Sequence, residues 1–311
     1  MKAALLVLAA IAAAAPVQPD AAERSQTVAL LTGGLNRSYR LHVPPGNPPR
    51  AGRPLVLLLH GHGSTAAGME RLTGFNELAD REGILTAYPE GIDRSWADGR
   101  GGTPADRRRL DDVHFLGAVI DDVARRTHVD STRVYVTGIS NGGFMTTRVA
   151  CEMSPKIAAA GPVAATMGES LAATCHPGRP VAMAFIDGDD DPLVPYEGGA
   201  LTGGRGRVLS ARGAAELWAR LNTCQTAAPP KTIPPSDVAH DGTSVTLTEF
   251  VGCAEHSDVR LFRIGGGGHT WPGGQQYLPV AMVGRTSRNL NANDALWTFF
   301  NAHRRAPQSR P

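Results

Sequence analysis

Apolar residues fall along this chain in two alternating rhythms: short unbroken runs, and longer stretches that repeat at helical spacing. Residues 54–59 are continuously apolar, as a central strand covered on both faces requires. A helical pattern follows over 66–81, with Met69, Leu72 and Leu78 as core positions, and then a strand over 84–88 that stops at Pro89. Val113, Leu116, Ile120 and Val123 recur opposite Asp121, Asp122, Arg125 and Arg126, which predicts an amphipathic helix over 113–129. Val134-Tyr135-Val136-Thr137 predicts a strand, with a helix opening at Gly143. Further strands are expected at 157–164, 181–186, 245–251 and 259–264, and helices at 209–221 and 293–300. Two early strands, 26–31 and 38–43, precede all of these. Strands alternating with helices predict an α/β domain: a mostly parallel, doubly wound sheet flanked by helices, spanning 26–304. The glycine-rich 198–207 reads as a mobile loop, and the proline-rich 227–235 as a surface loop within that domain.

Between the strand at 134–137 and the following helix lies Gly138-Ile139-Ser140-Asn141-Gly142, a G-x-S-x-G stretch. A nucleophilic serine must project its hydroxyl from a tight turn between strand and helix. Glycines two residues to either side remove the Cβ atoms that would collide there. The helix that follows aims its first amides at the point where negative charge develops during acyl transfer.

Such a serine needs a base, and the base an orienting acid, here in the chain order serine, acid, histidine. The predicted strand at 181–186 runs into Asp187-Gly188-Asp189-Asp190-Asp191-Pro192. Asp191 is the expected acid, with Asp189 and Asp187 as alternatives; a calcium loop is the competing reading, but it lacks the closing glutamate. The expected base is His269, in the glycine-rich run 265–274. For the oxyanion, the backbone N–H groups of Asn141 and His62 are the candidates, the latter in His60-Gly61-His62-Gly63 after the apolar run 54–59. A zinc pair formed by His60 and His62 is the alternative there.

Composition narrows the setting. A net charge of +2 over 311 residues gives no electrostatic case for nucleic acid, and Arg107-Arg108-Arg109, flanked by Asp106, Asp111 and Asp112, reads as a solvated loop, with a phosphate or substrate contact as the alternative. Lys2 followed by an apolar run through Ala15 reads as an export signal over 1–14, cleaved after Ala12-Ala13-Ala14, with an exposed linker over 15–25 and a flexible tail over 305–311. The apolar run is too short to span a bilayer. Four cysteines in an exported chain predict two disulfides. Of the three pairings, Cys151–Cys175 with Cys224–Cys253 leaves the shortest loops. No pair shows the C-x2-C spacing of a zinc site.

The chain resembles the secreted poly(3-hydroxybutyrate) depolymerase and feruloyl esterase family of α/β-hydrolases. The resemblance rests on Leu59-His60-Gly61-His62-Gly63, Tyr88-Pro89-Glu90-Gly91-Ile92, Ser95-Trp96, Asp112-Val113-His114-Phe115, Gly138-Ile139-Ser140-Asn141-Gly142-Gly143, Asp191-Pro192-Leu193-Val194-Pro195-Tyr196 and Gly267-Gly268-His269-Thr270-Trp271-Pro272-Gly273, which run in family order over about 27–303. It implies a Ser140, Asp191, His269 triad and supports the same two disulfides. The chain departs from the family at His62, where a cysteine is frequent, and at Asp187-Gly188, where His-Gly is usual. Trp96 and Trp271 are candidate walls of the ester pocket. The implied activity is hydrolysis of carboxylic esters with neither cofactor nor metal. Expected substrates are 3-hydroxybutyrate oligomers, or else feruloyl or acetyl esters of plant polysaccharide. An acyltransferase and a non-catalytic secreted binding protein are the readings from other classes.

Overall fold

A computed structural model describes residues 25–235 and 240–306. The expected export signal, the linker except Ser25, and the tail beyond Ala306 lie outside the described residues. A hairpin opens the fold, β1 (Gln26–Thr32) against β2 (Leu35–His42). Then come β3 (Arg53–Leu59), α1 (Ala66–Thr73), α2 (Phe75–Glu82), β4 (Leu85–Pro89), α3 (Pro104–Arg107), α4 (Asp112–Arg126), β5 (Val129–Ile139), α5 (Asn141–Glu152), β6 (Ala159–Val163), α6 (Glu169–Ala172) and β7 (Ala182–Gly188). The second half holds β8 (Gly199–Ala200), β9 (Arg207–Val208), α7 (Ala211–Leu221), β10 (Thr226–Ala227), β11 (Lys231–Ile233), β12 (Ser244–Val251), β13 (Val259–Gly265), α8 (Val280–Val283) and α9 (Ala292–Ala302).

One sheet of 11 strands organises these elements, in the order β1-β2-β4-β3-β5-β6-β7-β13-β12-β10, with β11 paired to β12. Its middle, from β4 through β13, is parallel, and its two margins are antiparallel. The unbroken apolar run of β3 shows why. Leu55, Leu57 and Leu59 face one core, with Phe115 and Leu116 of α4, Met145 and Val149 of α5 and Trp218 of α7. Val56 and Leu58 face the other, with Met69 of α1, Phe75 of α2 and Trp297, Phe299 and Phe300 of α9. A strand alternating its side chains between two apolar layers must be apolar throughout.

Four stretches differ from the sequence expectation. The helix expected over 66–81 is two, because Gly74 adopts a left-handed conformation (φ 57°) that ends α1 and starts α2. The helix expected to reach Val129 stops at Arg126, and Val129 instead begins β5, opposite Arg53 of β3. Within the stretches expected as loops, 198–207 supplies most of the β8–β9 hairpin, and 227–235 holds the last residue of β10 and all of the short strand β11. Both expected disulfides are present, Cys151–Cys175 and Cys224–Cys253. No helix among the described residues is long and apolar enough to cross a membrane.

Candidate active site

The parallel strands end on one rim of the sheet, where an open α/β fold gathers its ligand-binding loops. β3 delivers 60–63, β5 delivers Ser140, β7 delivers 187–194, and β13 delivers 266–269.

Ser140 occupies the turn between β5 and α5 with φ 57° and ψ −122°, a conformation that side-chain-bearing residues rarely adopt. Its N–H is held by the carbonyl of Val163 (3.0 Å), and its own carbonyl accepts from Phe144 (2.9 Å). A Cβ on Gly142 would lie 2.1 Å from the Leu59 carbonyl oxygen, so α5 can start this close to β3 only with glycine there. The Ser140 Oγ makes no hydrogen bond to a described residue, and the residue lines two cavities. Asn141 opens α5, where the first amides have no carbonyl within the helix to bond. Its side chain clamps the neighbouring loop: Oδ1 accepts from the Trp96 N–H (2.8 Å), and Nδ2 donates to the Trp96 carbonyl (3.1 Å) and to Asp98 Oδ2 (2.6 Å).

Among the carboxylates after β7, the structure separates the roles. Asp191 Oδ2 lies 2.7 Å from His269 Nδ1, while Asp191 Oδ1 accepts from the N–H groups of Leu193 (2.7 Å) and Val194 (2.8 Å). The two side chains are 2 % and 4 % exposed. Asp189 is instead engaged by Arg263 (2.7 Å) and the Gly266 N–H (2.7 Å). Asp187 is buried, accepts from the Ala165 N–H (2.9 Å) through Oδ1, and leaves Oδ2 unpartnered. Burial, and then the nearby Asp191 carboxylate, hold its pKa well above the usual carboxylate range. With these acids committed to different partners, they do not converge as a calcium loop would, and no cluster of metal-ligating side chains occurs among the described residues.

His269 sits where its backbone is fixed on both sides: its N–H donates to Val283 (2.6 Å) and its carbonyl accepts from the Tyr277 hydroxyl (2.8 Å). A Cβ on the preceding Gly268 would stand 2.2 Å from the Val283 carbonyl oxygen, which explains why the loop is glycine there.

The two histidines after β3 part company. His60 is buried, accepts the Gly91 N–H at Nε2 (3.0 Å) and therefore donates from Nδ1 to the Gly61 carbonyl (2.9 Å). Both ring nitrogens are occupied by backbone, which leaves none for zinc. Burial lowers its pKa to about 4, so the ring is neutral at physiological pH. His62 is exposed, lines both cavities beside Ser140, and has its pKa lowered by partial desolvation and by the positive charge of Arg205, Arg100 and Arg107.

Trp96 and Trp271 differ from the expectation. Both indoles are fully buried, and neither lines either cavity. Trp96 donates from Nε1 to the His60 carbonyl (2.8 Å) and stacks near Phe115, propping the His60–Gly63 loop from beneath. Trp271 donates to Asn293 Oδ1 (2.9 Å) and ties the His269 loop to α9. The cavity walls come from residues the sequence did not single out for that role. A cavity of about 260 Å³ is lined by Met69, Leu72, Ile139, Leu193, Leu278 and Val283, with Ser140 and His269 at its head. A second, also about 260 Å³, shares Ser140, His62, Leu193 and Arg205 with the first and is otherwise lined by Arg100 and Arg107 with Phe144 and Leu201. Arg107, expected as part of a solvated cluster, faces this space, whereas Arg108 pairs with Asp93 (2.6 Å). No local pattern marks these arginines, since loops far apart in sequence carry them.

Comparison with known proteins fits this architecture. The family model "Esterase PHB depolymerase" matches residues 37–176. The chain is 34% identical over 280 residues to "Putative esterase NocK" of Nocardia uniformis subsp. tsuyamanensis, covering 87% of this chain and 80% of that protein. It is 27% identical to feruloyl esterase C of Emericella nidulans, covering 88% of each. The crystal structure of acetyl xylan esterase from Aspergillus awamori superposes with a TM-score of 0.57 over 89% of this chain and 98% of that one, at 15% identity, which supports the shared fold. On this identity and coverage, the chain belongs to the poly(3-hydroxybutyrate) depolymerase family of esterases, within the α/β-hydrolases.

Proposed function

We propose that the protein hydrolyses carboxylic esters through Ser140, His269 and Asp191. The observation that carries this reading is the buried 2.7 Å contact between Asp191 and His269, opening on a cavity that Ser140 also lines. With Asp191 accepting at Nδ1, the His269 ring presents Nε2 as its free base. The Ser140 Oγ attacks the ester carbonyl as its proton passes to Nε2, and Asp191 stabilises the imidazolium. The bond to the alcohol oxygen then breaks, and His269 returns the proton to the leaving alcohol. Water, deprotonated by the same ring, releases the acid and restores Ser140. The N–H of Asn141, at the start of α5, and that of His62 hold the oxyanion. In this reading the Ser140 Oγ to His269 Nε2 hydrogen bond forms in the substrate complex.

3-Hydroxybutyrate oligomers are the substrates of this reading. The apolar cavity, rimmed by the exposed Leu193, Tyr277 and Leu278, suits a short aliphatic chain. Feruloyl or acetyl esters of polysaccharide, named for some relatives, are the alternative arms of the assay. Action outside the cytosol is supported by two disulfides in a chain without free cysteines.

Ser140→Ala tests the mechanism. On a short p-nitrophenyl ester, kcat/KM is expected to fall by roughly three or more orders of magnitude, and labelling by a fluorophosphonate is expected to vanish. Retained turnover in that variant removes Ser140 from the chemistry.

A further inference from the structure

The two cavities that meet at Ser140 differ in chemistry, and the substrate reading above fills only the apolar one. The second has three guanidinium groups on its wall and no carboxylate. Arg100 is accounted for: it pairs with the buried Asp98 (2.6 Å) and lies over the Phe144 ring at 3.7 Å from its centroid. Arg107 and Arg205 are different. Arg107 donates to the Gly102 carbonyl (3.0 Å), and neither makes an ion pair with a described residue. Both are exposed on one concave space, and a cleft lined by one sign of charge raises the local concentration of anions there.

Backbone packing sets where these side chains stand. A Cβ on Gly102 would lie 2.5 Å from the Arg205 Cα, so the segment leading into α3, which ends at Arg107, and the β8–β9 hairpin touch main chain to main chain. The hairpin tip is closed by the Leu201 N–H to Gly206 carbonyl bond (2.9 Å). The field of all three arginines reaches His62, next to Ser140 in the same cavity.

We infer that Arg107 and Arg205 form a subsite for a carboxylate carried by the substrate itself, so that the preferred ester is one with a free acid group a few bonds from the scissile carbonyl. This rests on Ser140 being the nucleophile. A guanidinium pair suits a carboxylate, which accepts through two oxygens in the plane of the fork. The consequence for substrate class is direct. A short oligomer of a hydroxy acid ends in a free carboxylate, whereas a feruloyl or acetyl group on a neutral polysaccharide offers none.

The test compares monoethyl glutarate with diethyl glutarate, which differ at one end by a charge. Wild type is expected to favour the monoester by about 10- to 100-fold in kcat/KM, the range of charge-assisted hydrogen bonds. The ratio is expected to collapse towards one in the double variant Arg107→Ala/Arg205→Ala and to shrink in 0.5 M NaCl. Taking the ratio within each preparation cancels any loss of folded enzyme. Binding of the same two esters to Ser140→Ala, by calorimetry, reads the subsite without turnover. Monoester binding no tighter than diester binding there overturns the inference, and so does a wild-type ratio that the arginine variant leaves unchanged. Hydrolysis of both esters by wild type at equal rates leaves Ser140 as the nucleophile while removing the subsite. Undiminished hydrolysis by Ser140→Ala removes the nucleophile assignment instead.

Discussion

Asp187 lies four residues before the acid that holds His269, yet its buried environment favours the neutral form of its carboxyl. Asp191 accepts from two backbone amides and lies against an imidazole, whereas Asp187 is buried, accepts from one amide, leaves Oδ2 unpartnered and has the Asp191 carboxylate nearby. Asp187 therefore remains protonated in the folded protein at pH values where it ionises in the unfolded chain. The sign of the linkage follows. The contribution is favourable at low pH and is lost as pH rises above the ordinary carboxylate value, because only the unfolded state releases the proton. Asp187→Asn keeps the acceptor for the Ala165 N–H and abolishes this dependence. Its stability relative to wild type is expected to rise with pH, by about 1.4 kcal/mol for each unit over which only the unfolded wild type is ionised. Urea denaturation of both proteins from pH 5 to 8 measures the difference. A flat difference means that Asp187 is already ionised in the fold.

At the scale of elements, the site depends on how closely β3 and α5 approach each other. Gly142 is the point of nearest contact, and Gly142→Ala puts a methyl group against the carbonyls of Leu59 and His60. Displacing α5 to relieve that overlap moves Ser140 and Asn141 away from the His60–Gly63 loop. The variant is expected to lose about 1–3 kcal/mol of stability, and kcat on a p-nitrophenyl ester is expected to fall on the order of 100-fold from misplacement alone. Gly178→Ala, whose Cβ would meet nothing nearer than 3.7 Å, is the matched control and is expected to leave both unchanged. This crowding is also why the motifs are legible in the sequence. Close backbone approach writes glycine into the sequence at fixed offsets from Ser140 and His269, and the parallel strand order brings their loops to one rim. Side-chain direction writes no such mark. Trp96 and Trp271 sit beside the site loops because they brace them, and nothing in the local sequence distinguishes a brace from a wall. Arg100, Arg107 and Arg205 converge only through loop packing between segments about a hundred residues apart. Gly74 was illegible as a helix break for a simpler reason: the apolar period runs straight through it.

For the whole molecule, the disulfides fall outside the rim that carries the chemistry. Cys151 lies in the last turn of α5, and its bond to Cys175 ties the far end of the Ser140 helix to the segment after α6. Cys224 and Cys253 join the end of α7 to the turn after β12, at the antiparallel margin of the sheet. Neither bond touches the cavities, so their effect is on the persistence of the fold rather than on the reaction. Chain entropy assigns about 3–4 kcal/mol to a closed loop of this size. Because α5 also sets the position of Ser140, loss of the first bond is expected to matter more for retained activity than loss of the second. Cys151→Ser/Cys175→Ser is expected to lower the melting temperature by roughly 5–10 °C and to shorten the half-life of esterase activity at elevated temperature. Its initial rate at 25 °C stays within about twofold, since the loops around Ser140 and His269 are fixed by their own backbone contacts. Cys224→Ser/Cys253→Ser is expected to lower the melting temperature similarly while changing the half-life less. Thermal scans paired with residual-activity measurements on the two double variants decide this. Equal losses of half-life show that both bonds guard one cooperative unit, with no special role for the helix that carries the serine.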